Sequence, residues 1–339
     1  MQPFVYHHAG SRAQALQLAS QGKTASSAHV TAPVQYLAGG TTLIDLMKIE
    51  VMRPSAVVDI NALAREHGQI RADSDRLYLG ALARMSEAAE HPAVLRDYPA
   101  IAQSLQLAAS QQLRNMASLG GNVLQRTRCN YFRDVTWPCN KRQPGSGCSA
   151  LGGANRKLAV LGVSEACIAN YPGDFAPTLA ALDATVDIEG PAGRRVLPFD
   201  QLHRLPGETP HIETTLQPGE LITGFSVPAG PWTRRSLYLK IRDRQSYEFA
   251  LASAAVALEL DGGVVRQARI GLGGVPAKPW RAHEAEAALN GRPVDEAAAR
   301  RAADAAFAGA VSHGDNGYKI DLGRRVLARA ILQCAAMEV

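Results

Sequence analysis

The sequence predicts an α+β chain of two domains, and three observations carry that prediction. A length of 339 residues with 46% hydrophobic content is enough to bury more than one core. Between Val227 and Arg235 the composition shifts to VPAGPWTRR, a break rich in proline and glycine. Beyond the break, extended runs joined by a tight turn give way to alanine-rich helical stretches, the pattern of an antiparallel sheet covered by helices. The expected domains are therefore 1–228 and 229–339.

Taken in order, Ser11 to Gln21 reads as a short amphipathic helix, with Ser11 as its cap and Ala13, Leu16, Leu18 and Ala19 at helical spacing. Val34 to Leu37 is a brief strand running into Gly39-Gly40-Thr41-Thr42, and Leu43 to Glu50 resumes helical periodicity. A strand, a glycine turn and a helix N-terminus make an anion-binding geometry, because unpaired amides and the helix dipole face one point. The same four residues also suit an ordinary tight turn. Val57-Val58-Asp59-Ile60 and Leu77 to Leu82 read as strands and Ser86 to Ala109 as helix. Leu179 to Ile188 passes from helix into strand, and Val196 to Phe199 is extended. After the break, strands are expected at Leu237 to Ile241, Ala252 to Leu260 and Val264 to Leu272, the last two joined through Asp261-Gly262-Gly263. Helices at Glu284 to Leu289, Val294 to Gly309 and Gly323 to Met337 complete the domain.

Composition excludes several classes. Lys and Arg number 36 against 31 Asp and Glu, and no basic run is interleaved with aromatics, which argues against nucleic acid. No stretch approaches the ~20 apolar residues of a membrane span. The first residues lack a basic start followed by an apolar core, so no export signal is expected on this chain. Five cysteines are too few for a disulfide scaffold at this length, and four of them fall within 39 residues, which reads as metal binding in reduced form.

The chemistry gathers between Ala117 and Asp174. Gly120-Gly121-Asn122, beside Ser118, is a second place where the backbone can lie against an anion, and two such loops suit a dinucleotide with adjacent phosphates. Rossmann recognition is set aside: Gly271-Leu272-Gly273-Gly274-Val275-Pro276 is followed by prolines where a helix should begin, and no Walker lysine is present. Cys129, Cys139, Cys148 and Cys167 are separated by nine, eight and eighteen residues, a spacing of neither a zinc ribbon nor a compact ferredoxin. An iron–sulfur cluster, a zinc ion and four unligated thiols all remain open on spacing. Arg126, Arg128, Arg133, Lys141, Arg142 and Arg156 add positive charge that would favour an anionic cluster. Asp174 suits a helix cap or a carboxylate facing ribose hydroxyls or a loop amide, and Lys240 suits a surface charge or a cation beside a reduced flavin. Cys334 reads as an inert core thiol, His7 and His8 find no third ligand, and no Ser–His–Asp order or nucleophile elbow argues for hydrolysis.

LAGGTTLIDLMK (Leu37 to Lys48), RNMASLGGN (Arg114 to Asn122) and YPGDFAPTLAALDATV (Tyr171 to Val186) resemble the flavin-binding segments of the medium subunit of molybdenum hydroxylases, the xanthine oxidase family. KIRDRQSYEFALASAAVAL (Lys240 to Leu258) and GLGGVPAKPWRAHEAEAAL (Gly271 to Leu289) resemble its C-terminal domain. The resemblance implies a two-lobed FAD-binding domain of the vanillyl-alcohol-oxidase type, followed by a smaller α+β domain. It implies that Leu37, Ala38, Gly39, Gly40, Thr41, Thr42 and Leu43, with Ser118, Gly120, Gly121 and Asn122, hold the FAD diphosphate, that Asp174 contacts the cofactor and that Lys240 lies near the isoalloxazine.

An insertion at about 125–168 departs from most of the family. It resembles the insertion in flavin subunits of bacterial periplasmic aldehyde oxidoreductases, which carry a [4Fe–4S] cluster; 4-hydroxybenzoyl-CoA reductase is an alternative with its own cluster insertion. That likeness implies Cys129, Cys139, Cys148 and Cys167 as cluster ligands; spacing does not say whether such a cluster lies on the electron path, and a structural or potential-tuning role off it is the hypothesis. The expected protein is an electron-transferring subunit working with a large molybdenum-cofactor subunit, a small [2Fe–2S] subunit and an external acceptor. It would reach the periplasm on a partner's signal, with the cytoplasm as the alternative location. A zinc-stabilised scaffold subunit without redox function is the alternative from another class.

Overall fold

The computed structural model describes residues 1–20 and 31–339. The expected first helix runs Arg12–Ser20, with the Gln14 amide donating to Ser11 Oγ at 3.3 Å; its predicted last residue, Gln21, lies outside the described residues.

Among the described residues, three sheets organise the chain. The first is parallel, with β3 (Ala56–Asp59) between β1 (Val5–His8) and β2 (Val34–Leu37). Its parallel β2–β3 step needs a crossover, supplied by the Leu43–Lys48 helix. The second sheet is antiparallel and is built from β4 (Ile70–Ala72), β5 (Arg76–Gly80), β6 (Thr185–Gly190), β7 (Gly193–Pro198) and β8 (Leu221–Pro228), in the order β4-β5-β8-β6-β7. Strand β6 alternates with period two, so Val186 and Ile188 enter the core while Asp187 and Glu189 turn outward. The third sheet, β12-β11-β10-β9, is formed by β9 (Ser236–Ile241), β10 (Ala252–Asp261), β11 (Val264–Gly273) and β12 (Trp280–Arg281). Asp261 pairs with Val264, so Gly262 and Gly263 alone make the turn, with φ +54° and +84° as a type I′ hairpin requires. Helices His283–Leu289, Glu296–Ala306 and Tyr318–Ala335 bury their alanine and leucine faces with this sheet.

Several expectations need correction. The single helix read over Ser86–Ala109 is three, Met85–Glu90, Pro92–Asp97 and Pro99–Gln106. Each proline lacks an N–H and therefore opens a new helix instead of continuing one. Strand β8 was missed although it is the centre of its sheet; Thr223-Gly224 interrupts its apolar run, and a Cβ on Gly224 would meet Tyr78 Oη at 2.4 Å. Strand β1 is mostly exposed and gives no periodic signal.

Residues 125–168 form an irregular lobe with a small core of its own, in which Phe132, Leu158 and Ile168 pack with Leu46 and Met47. Its far end docks on the C-terminal domain. Lys319, fully buried, donates to the carbonyls of Lys157, Leu158 and Gly274 at 2.9, 3.0 and 2.7 Å, and Asn316 Nδ2 donates to Ala159 O at 2.8 Å.

Candidate functional site

The two glycine loops are one structure. Gly40 has φ +74°, and a Cβ on Gly39 would fall 1.9 Å from Met116 O, so the first loop lies directly on the backbone that opens the second. The Leu119–Val123 helix is capped by Ser118, whose Oγ accepts the Gly121 amide at 3.1 Å. Leu119 and Gly120 amides donate to Ala83 O and Ala81 O at 3.0 and 2.8 Å, fixing this turn on the end of β5. Arg84 Nη1 donates to Met116 O at 2.6 Å and its Nη2 to Asn61 Oδ1 at 3.0 Å, while Asn61 Nδ2 donates to Ala38 O at 3.0 Å. Arg84 and Asn61 thus tie the loops together. Neither stood out in the sequence, because the bonds that join the loops run to partners more than twenty residues away.

These loops wall a cavity of about 250 Å³. Leu37, Ala38, Gly39, Gly40, Thr41, Thr42, Leu43, Ser118, Gly120 and Gly121 lie on it; Asn122, Asp174 and Lys240 lie off it. Asn122 Nδ2 instead approaches Met85 Sδ at 3.3 Å. Asp174 occupies the N-cap position of the Phe175–Ala181 helix but caps nothing, correcting that expectation. Its carboxylate accepts from Lys240 Nζ at 2.7 Å and from Tyr238 Oη at 2.6 Å, all three buried. Burial pushes the Asp174 carboxyl up, and the Lys240 ammonium opposes it. Lys240 is therefore an inward-facing cation, not a surface charge.

The opposite wall comes from segments without periodicity: Arg126, Lys141 and Cys167 of the inserted lobe, and the loop carrying His203 and Glu213. Nothing in the 201–220 sequence marked that loop as part of a site. His203 Nε2 meets Val123 O at 3.1 Å, and burial pulls its pKa down to about 4, so the ring is neutral and Nε2 carries the proton donated there.

Cys129, Cys139 and Cys167 are buried and Cys148 half-buried, and all four share one small core. Cys139 and Cys148 face each other across an isolated antiparallel bridge. Cys129 feels the charge of Cys139 and Cys167, and Cys167 that of Cys139 and Cys148. None of these cysteines is in a disulfide. Amides of Tyr131 and Phe132 donate to Cys129, and the Ala169 amide to Cys167 Sγ at 3.4 Å. Burial pushes the Cys129 thiol up to about 12. Among the described residues, no three His, Cys, Asp or Glu side chains converge on a point that holds a single ion. The cationic cluster expected around the cysteines is mostly spent elsewhere: Arg128 and Arg133 pair with Asp45, Arg156 with Asp243, and Arg142 donates to backbone carbonyls. Arg126 and Lys141 remain at the nest, sharing Glu213. Cys334 is a buried thiol in the C-terminal core, as its helical setting implied.

Comparison with known proteins gives a consistent pattern. The FAD-binding domain of molybdopterin dehydrogenases matches residues 2–230, and the C-terminal domain of carbon monoxide dehydrogenase flavoproteins matches 237–334. The chain is 42% identical to the aldehyde oxidoreductase FAD-binding subunit of Escherichia coli K12, over 99% of each. It is 25% identical to the carbon monoxide dehydrogenase medium chain of Hydrogenophaga pseudoflava, over 97% of this chain and 96% of that one. A solved carbon monoxide dehydrogenase structure from the same organism superposes with a TM-score of 0.74 at 26% identity, covering 98% of this chain and 97% of the other.

Proposed function

The chain belongs to the family of FAD-binding domains of molybdopterin dehydrogenases, and from that membership we propose that it is the electron-transferring flavin subunit of a molybdenum-dependent aldehyde oxidoreductase. The observation that carries the aldehyde reading is the 42% identity, end to end, with a subunit of that description. Bound flavin supplies one- and two-electron transfer, which protein side chains cannot. The chain's own part is to hold and orient it. The Gly39–Thr42 turn, opening the Leu43–Lys48 helix on the cavity wall, suits a diphosphate; the Ser118 loop, whose amides are bonded within the fold, holds that turn in place, and the cavity beside them receives the dinucleotide. Asn122, Asp174 and Lys240 enter as cofactor contacts through the family resemblance; they lie off the cavity wall, and the Lys240 ammonium is held by Asp174.

The reading extends to a [4Fe–4S] centre on Cys129, Cys139, Cys148 and Cys167. Its support is the gathering of four cysteines in one core, the amides donated to Cys129 and Cys167, and the nearby cations Arg126 and Lys141. A large molybdenum subunit, a small [2Fe–2S] subunit and an external acceptor complete the proposed complex, and a periplasmic location follows from the likeness of the insertion; cell fractionation tests the last point.

The deciding experiment is an anaerobic optical and EPR spectrum of the purified protein with iron, zinc and sulfide analysis. Flavin bands with about four irons per chain are expected. One zinc without iron would replace the cluster by a structural metal, and a folded sample with neither flavin nor iron would overturn the proposal.

A further inference from the structure

The flavin cavity and the cysteine nest share a wall. Cys167 and Lys141 both line the cavity, and the Lys141 ammonium acts electrostatically on the Cys167 sulfur. Lys141 Nζ donates to Pro210 O at 2.9 Å and to Glu213 Oε1 at 3.1 Å. Arg126 binds the other oxygen of Glu213 at 2.5 Å and lies 4.9 Å over the Phe132 ring. Two nearly buried cations thus share one carboxylate on this wall. Surplus positive charge away from water is costly unless anions face it, and the two candidates are on either side: ligated thiolates in the nest and a diphosphate in the cavity.

We propose that the wall of Arg126, Lys141 and Cys167 couples the two sites, so that the centre on the four cysteines holds this side of the cavity in place and retention of the dinucleotide depends on it. The inference rests on the flavin and cluster readings above. It gives the inserted lobe a structural task toward FAD.

Cys148 is half-buried and off the cavity wall, so Cys148→Ser removes one ligand without touching that wall. FAD affinity is read by flavin fluorescence on the purified protein, beside its iron and sulfide content. The expected result is an iron-free variant that binds FAD roughly tenfold or more weakly than wild type. Lys141→Met, which keeps the bulk and removes the charge, weakens FAD binding in the same direction. Iron-free Cys148→Ser with wild-type FAD affinity overturns the coupling alone. Wild-type protein that holds FAD but no iron overturns the cluster reading and the coupling with it. If Cys148→Ser fails to fold, the same affinity is compared on wild-type protein before and after anaerobic chelation of its iron, and unchanged affinity again overturns the coupling.

Discussion

A methyl group on Gly39 has nowhere to go. It would press on Met116 O at 1.9 Å, and a backbone carbonyl held by Arg84 cannot swing aside. Gly39→Ala is expected to part the two loops, empty the purified protein of flavin and cost about 1–3 kcal/mol in urea unfolding. Gly121 makes the useful contrast, because its Cβ would meet only the Ser118 hydroxyl, at 2.9 Å, which can rotate away. Gly121→Ala should therefore lose roughly a helix cap, about 1 kcal/mol, with the fold intact. His203 fixes a pH dependence. Its pKa falls to about 4 in the folded chain from 6.5. Between those values only the unfolded chain takes up a proton, so stability present above pH 6.5 is lost as pH falls toward 4, by about 3 kcal/mol in all. Urea midpoints at pH 7 and pH 5 should differ accordingly, and His203→Gln should flatten that part of the difference.

The inserted lobe docks on the C-terminal domain at several points, among them Lys319 of the Tyr318–Ala335 helix, Asn316 just before it, and the Arg156–Asp243 ion pair. Replacing Lys319 by Met takes the donor from the Lys157 and Leu158 carbonyls, while Gly274 O keeps Asn170 Nδ2, so a loss of about 1–3 kcal/mol is expected, with faster limited proteolysis near Lys157 as the local readout. Nothing in the sequence singled out this lysine. Elements with strong local signals were legible: the β2 strand, the Gly262-Gly263 hairpin and the alanine-rich helices are present, though the last helix opens at Tyr318, five residues before the expected Gly323. Strand β8 was not, because a central strand with Gly224 under a tyrosine ring is specified by its neighbours. The site divides the same way. Glycine loops announce themselves in sequence, whereas Arg84, Asn61 and His203 gain meaning only when distant segments meet.

At the scale of the whole molecule, the two domains are joined by charge as well as by packing. Asp183, at φ +52° after the Phe175–Ala181 helix, receives both Arg269 of β11 and Arg281 of β12, and Arg269 lies 3.9 Å over the Trp232 ring. Asp183→Asn preserves that backbone conformation and removes the charge. Because Asp183 is half exposed, a modest loss of about 1–2 kcal/mol is expected, seen in calorimetry as a broadened or divided transition. The Lys319 contact carries a further consequence, one of order in time. Synthesis runs from the N-terminus, so all four cysteines of the lobe leave the ribosome well before the helix that anchors it. The lobe's small core closes on Leu46 and Met47, both made earlier, so it can form ahead of its docking contact, which is added only when the last helix is released.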